Sequence, residues 1–335
     1  MRDGGGPEGA PRPLPDPLML GGGGTEERAQ FDVSRLPARL ERYGKARRRA
    51  RQLVSHLGDA LKDETASDAL DLPAALGGET RAKRLAAERL ARCGEYLLFR
   101  HYWTVDEIRL HQAEFCKQHL LCPLCAIRRA TKQTAAYMER FHIVTAENPH
   151  LIPAFMTYTV KNGADLGERM AHLRKGLRTL TQRRKDIRTR GKGTSEFGAV
   201  AGAVGTLEVT NRGKGWHPHA HMLVLLDRYM DQKALSAEWK AITGDSFVVG
   251  INRLDPDAEP IEAFVEVFKY ALKFSDLTPA QIWHAARTLR GQRLLFSLGN
   301  FRGVDVPDQL TDEPLEGLPY EEFFYRYLDG VGYSL

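Results

Sequence analysis

Cysteine is scarce in this chain, with four in 335 residues. So few thiols exclude a disulfide-stapled scaffold, and thiols of a cytosolic protein stay reduced. Long apolar runs are missing too, and no stretch approaches the roughly 18 residues that a membrane span needs. The opening MRDGGGPEGAPRPLPDPLMLGGGG lacks the apolar segment of a secretory signal. The expected location is therefore the cytoplasm, with no membrane partner. No internal repeat is found, so a stacked-repeat architecture is not expected.

What is present is enough apolar material for a sizeable core, 42% of residues, and a net charge of +5. The charge is clustered. Residues 161–192 carry 11 Lys/Arg against 3 Asp/Glu, whereas 303–335 carry 8 Asp/Glu against Arg326 alone. Clustered basic charge points to an anionic partner, and Arg174, Lys175, Arg178, Arg183, Arg184 and Lys185 are the candidate DNA contacts. Residues 1–24 hold 8 Gly and 5 Pro, a composition that cannot offset the entropy of ordering. Four segments follow: a disordered tail over 1–30, a helical N-terminal region over 31–145, a central unit over 146–303 and an acidic tail over 304–335.

Periodicity predicts helices over 37–61, 79–97, 125–140, 166–187, 235–242 and 261–274, and strands over 154–160, 201–209, 219–226 and 246–251. In 166–187, Leu166, Met170, Leu173, Leu177 and Leu180 form one stripe, so that helix should pack on a sheet and expose its arginines. A strand, a helix, a strand hairpin, then another strand and helix suggest an α+β fold: an antiparallel sheet with helices on one face.

All four cysteines gather in one region. Cys116, Cys122 and Cys125 fall as C-x5-C-x2-C in FCKQHLLCPLC, and Cys93 precedes them. Two thiolates two residues apart can wrap one ion, and tetrahedral zinc needs two further ligands of that kind. Cys93 and Cys116 supply them, with His111 or His119 as substitutes for Cys93. Four protein ligands fill the coordination sphere, so this Zn²⁺ site is expected to be structural.

The run GWHPHAHMLVLL carries the chemistry. On a strand, His219 and His221 point to one face and can chelate a metal together. A cation such as Mg²⁺ or Mn²⁺ also wants an oxygen ligand, and a hairpin from the preceding strand GTLEV would bring Glu208 beside them. His217 is left to orient the site or touch phosphate. In PIEAFVEVFKYALKF a helix buries Ile261, Phe264, Val265, Phe268 and Leu272 and gathers Glu262, Glu266, Lys269, Tyr270 and Lys273 on its opposite face. A phenol attacks poorly unless a cation or base assists it.

Together these motifs closely resemble the rolling-circle plasmid replication initiators, the Rep branch of the HUH endonuclease superfamily. The similarity spans about residues 90–275: the cysteine region, FMTYT, the HUH motif in WHPHAHML, and Tyr270-Ala-Leu-Lys273. It implies a five-stranded antiparallel sheet with the tyrosine helix over a divalent metal at His219, His221 and Glu208. It further implies that Tyr270 attacks origin DNA, single-stranded or in a hairpin, leaving a 5′-phosphotyrosine and a 3′-OH primer. Lys273 would support the tyrosine or phosphate, and Glu266 would activate water at termination. Host helicase and polymerase are the implied partners. A rolling-circle transposase and a non-catalytic zinc-knuckle DNA-binding protein are the rival readings.

Overall fold

In the computed structural model, which describes residues 31–66, 74–255, 260–269 and 271–335, two antiparallel sheets organise the chain. The tail expected over 1–30 lies outside the described residues. The first sheet has the order β2-β1-β8-β9, from β1 (Tyr96–Tyr102), β2 (Glu107–Ala113), β8 (Glu321–Leu328) and β9 (Gly332–Ser334). The second has the order β6-β3-β5-β4-β7, from β3 (Ile152–Thr159), β4 (Val200–Thr210), β5 (His217–Leu226), β6 (Val249–Arg253) and β7 (Leu295–Gly299). Seven helices surround them: α1 (Leu36–Ala66), α2 (Ala74–Arg92), α3 (Pro123–Glu147), α4 (Leu166–Arg190), α5 (Gln232–Thr243), α6 (Ile261–Phe268) and α7 (Pro279–Leu289) among the described residues.

The α+β class and the five-stranded antiparallel sheet are as expected, but helices cover both faces of that sheet. On one face Ala220, Met222, Val224 and Leu226 of β5 pack with Leu166, Met170, Leu173 and Leu180 of α4. On the other, Leu223 and Leu225 pack with Phe264, Val267 and Phe268 of α6 and Tyr137, Met138 and Phe141 of α3. That double cover explains why β4 and the C-terminal part of β5 are buried on both faces, while β3 alternates. The α4 stripe needs a sharp start and stop. Asp165 caps it by accepting from Glu168 N at 2.7 Å, and Gly191 ends it at φ 62°.

Gly176 faces the ring of Trp239 on α5, whose indole N–H donates to the Thr159 carbonyl at 2.7 Å. A Cβ at 176 would lie 2.5 Å from that fully buried ring. Gly176→Ala is therefore expected to cost about 1–3 kcal/mol of stability despite the better helix propensity of alanine. Denaturant melts of the two proteins check this; equal midpoints would mean that the α4–α5 contact is loose.

The acidic segment expected as a tail over 304–335 holds two strands of the first sheet. Its β8 pairs with β1, from Tyr96 opposite Arg326 to His101 opposite Glu321. The reason lies in EEFFYRYL, where Tyr325 and Tyr327 are buried and alternate with the exposed Phe324, Arg326 and Leu328. Tyr325 meets Phe99 edge-on at 5.9 Å, and Tyr333 of β9 donates to the Gly94 carbonyl at 2.6 Å. The region 31–145, expected to be helical, thus also holds β1 and β2.

A buried ion cluster fastens the two ends. The Asp312 carboxylate meets the guanidinium of Arg128 on α3, accepts from Arg39 on α1 at 3.0 Å and from the Leu110 backbone N–H at 2.7 Å. Burial pushes its carboxyl up, but the two guanidiniums outweigh this and hold it well below the ordinary 3.8. Asp312→Ala leaves two buried cations uncompensated and is expected to cost about 3–5 kcal/mol. A depressed folded-state pKa stabilises above the unfolded value, and that contribution is lost as pH falls through the folded one. The stability gap between wild type and variant should accordingly be full at neutral pH and narrow only below about pH 4. Melts across pH check this, and a gap independent of pH would remove the ion cluster as its cause.

Candidate metal centre

The β4–β5 hairpin sets Thr206 opposite His221, Glu208 opposite His219 and Thr210 opposite His217. Because side chains two apart share a face, Glu208, His219 and His221 converge on the side covered by α6. The His219 and His221 rings lie 4.7 Å apart, almost perpendicular, and Glu208 Oε2 is 3.5 Å from each Nε2. One ligand atom from each residue falls within 4.8 Å of the other two.

Each ring is aimed through its other nitrogen. His219 Nδ1 donates to the His217 carbonyl at 3.3 Å, which leaves its Nε2 lone pair free. His221 Nδ1 is 3.1 Å from Thr157 Oγ1, and the ring stacks on Phe155 at 5.5 Å. Phe155 and Thr157 belong to FMTYT, and β3 places Thr157 directly opposite His221. The alternation of β3 could have identified them, since it puts both on the metal-facing side.

Glu208 Oε2 and His221 Nε2 are buried with no hydrogen-bond partner among the described residues. Lys269 Nζ, 3.3 Å from that oxygen, brings charge but no well-formed hydrogen bond, and two such buried polar atoms side by side suit a shared cation. One carboxylate and two imidazoles suit a divalent metal, so these residues could hold one. Burial would push the Glu208 carboxyl up, but His219, His221 and Lys269 hold it well below the carboxylate range. Burial lowers the His221 pKa and brings that of His217 to about 4, so both favour the neutral form. A carboxylate with neutral imidazole is the metal-binding form.

The expected helix over 261–274 ends at Phe268. Phe264, Val267 and Phe268 are buried with α3 on one side of the sheet, whereas Leu272 and Phe274 belong to the other apolar cluster, which a continuing helix could not reach. The chain instead runs beside β4. Val209 N donates to the Ala271 carbonyl at 2.9 Å, and Lys273 N to the Val209 carbonyl at 3.4 Å. Tyr270 lies outside the described residues. Lys273 points to Asp276, 3.9 Å away, and the lysine at the carboxylates is Lys269, with Nζ 3.3 Å from Glu208 Oε2 and in contact with Glu266 Oε1. Burial disfavours the Lys269 charge, yet Glu208 and Glu266 raise its pKa overall. Glu266 Oε1 stands 3.9 Å from His221 Nε2.

The cysteines form a second cluster. Cys93 Sγ lies 3.5 Å from Cys122 Sγ and from Cys125 Sγ, Cys116 Sγ lies 3.6 Å from Cys125 Sγ, and all four sulfurs fall within 4.8 Å of one another. Cys93 rather than His111 or His119 completes the set. A tetrahedral ion with metal–sulfur bonds of about 2.3 Å separates its sulfurs by about 3.8 Å, so the cluster fits one.

A replication-protein family matches residues 107–318. This chain belongs to that family. Two Bacillus replication proteins are similar to it, each named Protein rep. The one from Bacillus amyloliquefaciens is 31% identical over 57% of this chain and 61% of its own length, and the one from Bacillus sp is 30% identical over 62% and 71%. A Protein rep of Streptococcus pneumoniae is 27% identical over 56% of this chain and 59% of its own length. This chain therefore spans under two thirds of two of these three relatives. No solved structure matches. The family match takes in Glu208, His219, His221, Glu266 and three of the cysteines, while Cys93 precedes it.

In this chain the basic helix α4 lies across the sheet from Glu208, His219 and His221. Its six candidate DNA contacts also differ in availability. Arg184 Nε donates to the Val200 carbonyl at 2.5 Å and its terminal nitrogen to Ala201 at 2.8 Å, while Arg174 donates to the Arg293 carbonyl at 2.8 Å. Arg183 pairs with Glu238 at 2.8 Å. Lys175, Arg178 and Lys185 are exposed. Among the described residues, no helix is long and apolar enough to cross a membrane.

Proposed function

We propose that this replication protein starts rolling-circle replication by metal-dependent nicking and strand transfer at an origin. The supporting observation is the convergence of Glu208, His219 and His221 on the α6 side of the sheet, with Glu208 Oε2 and His221 Nε2 buried and without a hydrogen bond among the described residues. Glu208, His219 and His221 would hold Mg²⁺ or Mn²⁺, which when bound withdraws charge from a phosphate oxygen. The Tyr270 phenol oxygen attacks the scissile phosphorus and gives up its proton to water, while the bond to the 3′ oxygen breaks and that oxygen takes up a proton in turn. The products are a 5′-phosphotyrosine and a 3′-OH that primes synthesis. Lys269 adds positive charge beside the carboxylates, and Lys273 is retained as support for the tyrosine or phosphate. Glu266 would activate the water that releases the protein at termination.

The cysteines would hold structural Zn²⁺ in the N-terminal region, with the HUH endonuclease unit over 146–303. The exposed α4 residues offer contacts to origin DNA on the far face. Host helicase and polymerase are the expected partners, in the cytoplasm. Incubation with Mn²⁺ and single-stranded origin DNA should give a denaturant-resistant protein–DNA band, abolished in Tyr270→Phe. Absence of the band in wild type on every origin strand, with DNA still bound, would overturn the catalytic reading.

A further inference from the structure

A cleft of about 1020 Å³ runs from Thr206 and Lys269, at the edge of the metal centre, to the loop that carries the cysteine knuckle. Its lining includes seven Lys/Arg side chains and no Asp or Glu. Six of the seven lie beyond Lys269: Arg89 on α2, Lys117 in the knuckle loop, Arg129 on α3, Arg287 on α7, and Arg290 and Arg293 just after it. Five of them are exposed, whereas Arg129 is half-buried and pairs with Asp308 at 3.3 Å. Apolar side chains, Leu120, Leu121 and Leu294 among them, line the same cleft.

We propose that this cleft is the track for the single-stranded DNA flanking the nick; the proposal rests on the nicking reading and names the path of its substrate. A rim of cations over an apolar floor suits a phosphate backbone whose unpaired bases can lie against apolar surface. A duplex presents phosphates but keeps its base faces stacked, so the floor would go unused. Continuity decides between this surface and α4. The cleft opens on Lys269, 3.3 Å from Glu208, whereas α4 packs on the opposite face of the sheet. The track also gives the cysteine knuckle a purpose, since Lys117 follows Cys116 and any ion held there would fix one wall of the cleft.

The test is fluorescence anisotropy of a labelled single-stranded oligonucleotide with no Mg²⁺ or Mn²⁺ added and no chelator, titrated over salt. Charge reversal at three exposed positions, R89E/R287E/R290E, is expected to weaken binding by about ten-fold or more, since it removes phosphate contacts. It should also flatten the log–log salt slope by about 2, at roughly 0.7 per lost contact. The conservative R89K/R287K/R290K should keep the wild-type slope, and R287E alone should move part of the way if the triple variant folds poorly. Wild-type affinity and slope in R89E/R287E/R290E, with the loss appearing instead in K175E/R178E, would overturn the cleft. Adduct formation is read separately. Cleft-dependent binding without an adduct removes the nicking reading and leaves the cleft standing, while an adduct with charge-blind binding removes the cleft alone.

Discussion

Cys125→Ser should release the zinc and melt the N-terminal region, the largest stability loss expected of any single change here. Cys125 is fully buried in the first turn of α3, behind the N-cap Cys122, where the helix dipole favours the thiolates a metal requires. The Cys116 backbone N–H points at Cys93 Sγ from 3.4 Å, as it would toward a metal-bound thiolate. Structural zinc contributes roughly 10–16 kcal/mol in zinc-finger peptides, comparable with the whole stability of a domain, about 5–15 kcal/mol. The contacts at stake reach far along the chain. Gly94, next to Cys93, accepts from Tyr333, and Leu124 packs in the cluster that holds α1, β1 and β2. Metal analysis should find one zinc per wild-type chain and less in the variant, with hydrogen exchange rising across β1, β2 and α3. Wild type that purifies without zinc, and whose melting temperature Cys125→Ser leaves unchanged, would mean three buried thiols, one half-buried, and no ion.

The grouping of Glu208, His219 and His221 was legible because it depends on local geometry. Histidines two apart on a strand share a face, and a short hairpin necessarily brings the preceding strand alongside. Glu208 duly stands opposite His219. The α4 stripe was legible for a similar reason, although periodicity reveals a buried stripe and not which face of the sheet it covers. That choice places Lys175 and Arg178 away from the site. The first sheet was hidden because β1 pairs with β8, more than 200 residues away, and β8 lies in a segment whose 8 Asp/Glu against one Arg read as a charged tail. The end of α6 was hidden as well. Phe268 and Leu272 are one turn apart and suit one helix face, but Leu272 belongs to a different apolar cluster from Phe268.

His221→Ala should lower the nicking rate by on the order of 10³, the loss of several kcal/mol of charge stabilisation, while metal-free DNA binding stays unchanged. Two contacts, the Phe155 stack and the Thr157 hydroxyl, fix this ring, which is buried to 5% exposure. Alanine loses the imidazole donor but leaves Glu208 and Lys269 adjacent, 3.3 Å apart. With one ligand fewer, the lysine ammonium competes better for the carboxylate, so extra Mn²⁺ should restore only part of the rate. Thr157→Val separates aiming from ligation. It keeps the imidazole and removes the hydroxyl, and should weaken metal affinity by about 10–100-fold with a near-normal rate at saturating metal. Rates measured against Mn²⁺ concentration tell the two apart. Because burial depresses the His221 pKa, its neutral donor form persists below the ordinary 6.5, and the acid limb of the wild-type rate profile should lie below that value. A His221→Ala protein that nicks as fast as wild type at every metal concentration would move the chemistry away from this strand pair, whatever the family match.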